Sequence, residues 1–98
     1  MTEQLQRELW TSWASLLRSY AAVHALGKEQ HAVVEVSDTD ILLRFGQRSS
    51  RFTPDSYVAP DGKRYPFALT VNGRARVGDD EDEMDLTAER LASAIINA

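Results

Sequence analysis

The sequence predicts an α+β fold: a long N-terminal helix, a four- to five-stranded antiparallel meander sheet and a short C-terminal helix, all within 98 residues. Three observations support this. Apolar residues recur at three- and four-residue steps near the N-terminus, alternating segments separated by turn residues fill the middle, and a second helical pattern closes the chain. We expect a single domain with both helices on one sheet face, because each helix has one apolar stripe and the strands alternate.

The first helix is predicted over residues 1–27. Thr2 is suited to cap its start, and Gly27 is suited to the left-handed turn that follows a helix end. The helix would be roughly 37 Å long at about 1.5 Å per residue, which is long enough to reach the edge of so small a domain. Its apolar positions span a wide arc that comprises Leu5, Leu9, Trp10, Trp13, Leu16, Leu17 and Tyr20.

The antiparallel sheet is predicted over residues 31–77. Residues 31–37 are rich in valine and residues 41–46 alternate between apolar and polar side chains, as strands do. The segment between them is short and contains Ser and Asp. These two strands should therefore form an antiparallel hairpin.

Further turn signals divide the rest of the sheet region. Residues 47–50 are read as a polar turn before a short strand at 51–53, which the proline at position 54 ends. Pro60-Asp61-Gly62 predicts a second hairpin turn. Asn72-Gly73 is the favoured two-residue hairpin loop, so residues 74–77 should fold back on the preceding strand.

The end of the chain is predicted as an acidic linker over residues 78–85 and a helix over residues 87–98. Five consecutive acidic residues in the linker should repel one another and remain solvated. Thr87 is the expected helix cap, and Leu86 and Leu91 occupy the positions of a hydrophobic staple.

Composition excludes some classes of site. The chain has no cysteine, which excludes disulfides, thiolate metal sites and cysteine nucleophiles. The N-terminal residues are acidic where a signal peptide is basic, and no apolar run approaches the length of a membrane span. We therefore expect a cytoplasmic protein without a membrane segment.

The net charge of −4 is unevenly distributed: it is −3 over residues 1–43, +5 over residues 44–76 and −6 over residues 77–98. A basic middle region suggests an anion- or nucleic-acid-binding surface on the sheet, with the acidic run as an intramolecular competitor. The residues expected to carry this alternative function are Arg44, Arg51, Lys63, Arg64, Arg74 and Arg76. Ordinary solvent-facing arginines paired with acids are the simpler interpretation.

No catalytic or metal-binding pattern is present in the sequence. His31 and Glu35 have the spacing of a helical zinc pair, but a strand would place them roughly 13 Å apart, too far for one metal ion. His24 is near the end of the first helix. We therefore predict no cofactor and no metal. An enzyme that uses His24 or His31 in a cleft between sheet and helix is the least favoured alternative.

The leading hypothesis is a non-enzymatic protein-protein interaction module that forms a homodimer through its N-terminal helix. One small sheet covers only part of so wide an apolar arc, and Trp and Tyr are favoured anchors at protein interfaces. The predicted interface consists of Leu5, Leu9, Trp10, Trp13, Leu17 and Tyr20.

Overall fold

The computed structural model describes residues 2–97, which form two helices and one seven-stranded sheet. The helices are α1 (Glu3–Ala25) and α2 (Met84–Ile96). The strands are β1 (Ala32–Val36), β2 (Ile41–Phe45), β3 (Arg48–Thr53), β4 (Ser56–Val58), β5 (Arg64–Leu69), β6 (Arg74–Val77) and β7 (Asp80–Glu83). All neighbouring strands are antiparallel, and their order in the sheet follows the sequence.

The predicted fold class is confirmed, with seven strands where the sequence predicted four to five. Both helices pack on the sheet, as expected. The predicted helices 1–27 and 87–98 begin at Met1 and end at Ala98, and these two residues lie outside the described part of the chain.

Helix α1 begins and ends where local sequence signals place it. The Thr2 hydroxyl accepts a hydrogen bond from the Leu5 N–H at 3.2 Å, which is the expected cap. Gly27 follows the helix with a φ of 77°. The molecule measures 41 × 23 × 22 Å, so a helix of this length, about 34 Å, can lie only along the longest dimension.

An aromatic cluster forms the centre of the core. Trp13 has no exposed surface and contacts the rings of Phe52 and Phe67, with centroid separations of 5.4 and 5.3 Å. Phe52 stacks on Tyr57 at 4.8 Å, and burial raises the pKa of Tyr57 to about 12. Trp13 therefore packs helix α1 against the middle of the sheet.

Alternation along the strands separates an inner face, under the helices, from an outer face. Ile41, Leu43 and Phe45 of β2 are buried, whereas Leu42 is half-buried and Arg44 is exposed on the outer face. This confirms the assignment of the two faces of β2 from the sequence.

The third strand is longer than predicted, because the turn before it is shorter. Gly46 adopts a φ of 63°, which allows a two-residue turn, and β3 therefore begins at Arg48. The prediction of a polar turn over residues 47–50 is wrong. Ser50 lies opposite Leu43 on the inner face and is only 3% exposed.

The predicted acidic linker over residues 78–85 is also wrong in its central part, since Asp80–Glu83 forms β7. This strand pairs with β6 in a continuous register in which Arg74 lies opposite Glu83 and Arg76 lies opposite Glu81. All four β7 residues are exposed. The acidic side chains remain solvated, but the opposite charges on β6 order their backbone.

Helix α2 begins at Met84 rather than at position 87, so the predicted cap and staple are wrong. Thr87 lies within the helix, is 2% exposed and donates its hydroxyl to the Glu83 carbonyl at 2.9 Å. Leu86 is 53% exposed and therefore does not staple the helix to Leu91. Met84 is buried and anchors the first turn in the core.

The two helices contact each other along the second half of α1. The Tyr20 hydroxyl donates a hydrogen bond to the Asp85 carboxylate, and this bond raises the pKa of Tyr20. Nearer the end of α1, Nδ1 of His24 lies 3.2 Å from the side-chain amide of Asn97. The first half of α1 borders a cleft.

Candidate functional site

A cleft of about 530 Å³ lies between the first half of α1 and one end of the sheet. Its lining residues come from α1, from the β1–β2 and β3–β4 turns and from the end of β5. They are Glu3, Gln6, Arg7, Leu9, Trp10, Asp38, Pro54, Ala68 and Leu69. This volume is within the range of about 300–1,000 Å³ that is usual for binding pockets.

Leu9, Trp10 and Leu69 provide large apolar surfaces in the cleft. Trp10 is 9% exposed, and its indole N–H donates a hydrogen bond to the Ser37 carbonyl at 2.9 Å. This bond satisfies the polar atom of the ring and holds its orientation. The cleft therefore has a preformed apolar wall.

The cleft exists because two neighbouring strands have different lengths. Strand β4 spans only Ser56–Val58, since Pro54 forces the chain to turn before it, whereas β5 continues to Leu69. The pairing of β4 with β5 ends at Ser56 and Pro66, and one further hydrogen bond joins the Phe67 N–H to the Asp55 carbonyl of the β3–β4 turn at 3.2 Å. Beyond this bond, β5 has no paired strand on its β4 side within the described chain.

The hydrogen-bond pattern directs main-chain groups of Leu69 into this gap. On the β6 side, the Thr70 N–H bonds to the Arg74 carbonyl and the Gly78 N–H bonds to the Pro66 carbonyl, both at 2.9 Å. Because bonding alternates along an antiparallel strand, Leu69 directs its N–H and C=O away from β6 and towards the cleft. The site thus presents one donor and one acceptor beside an apolar wall.

Three charged side chains line the rim. Glu3 and Arg7 come from α1, and Asp38 comes from the β1–β2 turn. None of the three forms an ion pair with any residue between positions 2 and 97. Two acids and one base make the rim slightly negative, so it favours a positively charged group on a ligand.

The predicted helix interface is only partly available in this structure. Trp13 and Leu17 are completely buried in the chain's own core and have no surface to offer a partner. Leu5 and Tyr20 are half-buried, and neither lines the cleft. Of the six residues, only Leu9 and Trp10 lie together in the cleft.

The predicted anion-binding residues are largely neutralised on the outer sheet face. Arg74 and Arg76 share Glu81, at 3.1 and 3.0 Å, and Arg74 also reaches Glu83 at 3.4 Å. Hydrogen bonds from Arg76 and Arg74 lower the pKa of Glu81. The acidic strand β7 therefore forms ion pairs with two of the arginines that were predicted to bind an anion.

The remaining cations of that set are dispersed. Arg44 pairs with Glu35 at 3.6 Å and Arg51 pairs with Asp40 at 3.7 Å. Lys63 and Arg64, in the β4–β5 hairpin, are exposed and form no ion pair with another described residue. Two adjacent unpaired cations are a smaller basic surface than the sequence suggested.

The histidines lie apart from the cleft. Nε2 of His24 is 3.9 Å from Glu89, and His31 is exposed immediately before β1. Glu35 lies on β1, so the extended spacing between His31 and Glu35 that the sequence predicts is present. Across residues 2–97, no three His, Asp or Glu side chains are grouped closely enough to hold a metal ion.

Neither helix of the described chain is long and apolar enough to cross a membrane. Comparison of the sequence and structure with family models, with curated proteins and with solved structures finds no match. The function must therefore be argued from the geometry of the chain itself.

Sequence reasoning missed seven of the nine residues that line the cleft: Glu3, Gln6, Arg7, Asp38, Pro54, Ala68 and Leu69. The sequence did contain one signal for the sheet side of the cleft. Pro54 marks an early end for β3, while the next long strand continues to Leu69. Unequal strand lengths indicate an exposed stretch of strand edge. Which helix residues would face that edge could not be read from the sequence.

Proposed function

We propose that this chain is a small protein-binding module that takes up an extended segment of a partner protein in the cleft. The observation that carries the proposal is the orientation of the Leu69 N–H and C=O towards the cleft, beside Leu9 and Trp10. Addition of a peptide strand to an open sheet edge is a recurrent mode of recognition, in which main-chain hydrogen bonds provide affinity and side-chain pockets provide specificity. The proposal assigns binding and no reaction.

An extended peptide fits the cleft because its main chain carries the complementary donor and acceptor at each residue. A side chain pointing inward from such a strand would contact Leu9 and Trp10, which are held in place by the helix. The cleft is preformed by the indole hydrogen bond to Ser37. Binding would therefore require little rearrangement.

The rim charges define the chemistry of the partner further. Glu3 and Asp38 favour a lysine or arginine next to the inward-pointing apolar residue, while Arg7 would accept a single carboxylate. The expected ligand is thus an extended segment with an apolar residue flanked by a basic one.

This proposal keeps an interaction role for the tryptophan-bearing helix but places the contact in the cleft rather than along the whole apolar arc. The hypothesis of a homodimer through the whole apolar arc required Trp13 and Leu17 to be accessible, and both are buried. The cleft uses the neighbouring part of the arc, at Leu9 and Trp10.

The test is a selection of displayed random ten-residue peptides on the immobilised wild-type chain, followed by measurement of the affinity of the selected synthetic peptides. We expect bound peptides to shift the amide resonance of Leu69 and the indole resonance of Trp10. The variant Leu9→Arg should weaken binding at least about tenfold, because it places a long charged side chain across the apolar wall.

The matched control is Val23→Arg, which adds the same side chain to the same helix at a position that is 58% exposed and outside the cleft. It should leave the affinity unchanged. The proposal fails if no peptide is selected, or if the selected peptides bind Leu9→Arg as well as they bind the wild type.

A further inference from the structure

The outer edge of β1 is open in the described chain. Strand β1 is the first strand of the sheet, and β2 is its only neighbouring strand between residues 2 and 97. The Ser37 N–H bonds to the Asp40 carbonyl at 2.8 Å, so the alternation of hydrogen bonds directs the main-chain groups of Ala32, Val34 and Val36 to the free side.

This edge lacks the usual protection against pairing. Natural edge strands are commonly blocked by charges, prolines or bulges. Strand β1 has the sequence Ala-Val-Val-Glu-Val, with one charge, no proline and a continuous register with β2. The opposite edge of the sheet, β7, carries four acidic side chains.

The segment is also complementary to itself. In residues 31–35, His-Ala-Val-Val-Glu, the histidine and the glutamate are placed symmetrically about Val33. If a second copy lies antiparallel on a twofold axis through Val33, Ala32 is hydrogen-bonded to Val34 of the second copy. His31 then lies opposite Glu35 of that copy, with Cβ atoms about 5 Å apart.

We propose that two copies of this chain form a homodimer by antiparallel pairing of their β1 edges about Val33. The twofold axis makes both the His31–Glu35 pair and the Ala32–Val34 pair occur twice. It brings together residues that lie roughly 13 Å apart within one strand. The dimer uses a different surface from the cleft and does not rest on the peptide-binding proposal.

The dimer should be weak and reversible, because pairing of one short strand buries less surface than a typical stable interface. Sedimentation velocity of the full chain between about 5 μM and 1 mM should show a mass that rises from monomer to dimer. The variant Val33→Lys places like charges against each other on the axis and should abolish the rise. The matched control Val71→Lys, at a position 58% exposed in the β5–β6 loop, should not.

A charge exchange tests the register. His31→Glu alone puts two carboxylates opposite each other at both symmetric positions, and it should raise the dissociation constant roughly two- to thirty-fold. Combining it with Glu35→His restores one histidine opposite one glutamate in each pair, and it should return the constant to near the wild-type value. His31 and Glu35 are exposed, so both variants should fold.

Three outcomes would each overturn the proposal: a monomer throughout the concentration range, a dimer insensitive to Val33→Lys, or a failure of the double exchange to rescue the single one. The cleft variant Leu9→Arg should leave the dimer intact. A chain that dimerises as expected but selects no peptide would thus refute the cleft proposal alone, and the reverse result would refute only the dimer.

Discussion

The two edge strands of the sheet, β1 and β7, are held in opposite ways. Ala32 and Val34 of β1 pack against the buried core from the inner face. All four residues of β7 are exposed, and ion pairs on the outer face join Glu81 and Glu83 to β6. One edge is therefore attached by apolar burial and the other by charge.

This difference in attachment determines whether an edge strand can pair with a further strand. A row of carboxylates along β7 repels a second copy of itself and would have to lose its hydration to accept another strand. Burial of one face of β1 leaves its free main-chain groups unprotected. The proposed pairing of edges therefore uses β1 rather than β7.

The largest change in stability at the β1 side of the sheet is expected from Leu43→Ala, on the strand next to β1. Leu43 is fully buried, so the substitution should lower the free energy of unfolding by about 2–5 kcal/mol. Urea denaturation followed by tryptophan fluorescence measures the change. Asp82→Ala, on exposed β7, is the counterpart and should change the unfolding midpoint little.

A comparable loss of stability in the Asp82→Ala variant would show that β7 contributes to the core, and it would remove the contrast between the two edges.

An intermediate effect, confined to β7, is expected from pH and salt. Hydrogen bonds from the two arginines lower the pKa of Glu81 from its usual 4.5, so as the pH falls the unfolded state binds its proton first. The stabilisation that Glu81 provides is present above about pH 4.5 and decreases as the pH falls through the lower folded pKa. The protection factors of the β7 amides, which are corrected for the pH dependence of intrinsic exchange, should therefore fall as the pH drops below the usual glutamate value of 4.5.

High salt should have the same direction of effect on β7, because these exposed pairs are screened. Arg76→Gln, which removes one pair at 3.0 Å, should reproduce the loss of protection at neutral pH and reduce its salt dependence. An equal loss of protection of the β1 amides would contradict attachment of that strand by burial.

The smallest effect is expected from Arg44→Gln, which removes the only ion pair of β1 within the described residues, the 3.6 Å contact with Glu35. The free energy of unfolding should change by no more than about 0.5 kcal/mol, since both partners are exposed. Protection of the β1 amides should be unaltered at low and high salt. A clear loss of protection would indicate that charge also contributes to the attachment of β1.

The sequence alone was sufficient wherever a signal acts over a few residues. The helical period of α1, its Thr2 cap and the turn at Gly27 are all present, as is the alternation of β2. Each of these features depends on neighbours within about four positions, so the local sequence pattern is enough to predict it.

The errors arose where distant residues compete with local preference. A polar run before β3 was read as a turn, but pairing with β2 extended the strand and buried Ser50 against Leu43. An acidic run was read as a linker, but Arg74 and Arg76 on a neighbouring strand neutralise it. The acidic side chains do repel one another, but the attraction between them and the arginines of β6 exceeds this repulsion.

By itself, the sequence determined the fold class, the long helix, the meander and the absence of cysteine chemistry. Only the tertiary structure decided that Trp13 is enclosed by the sheet while Trp10 borders a cleft, because adjacent helical positions differ in burial only through what packs on them. The cleft itself exists because β5 extends further than β4 beneath α1. No local pattern encodes such a difference in length between paired strands.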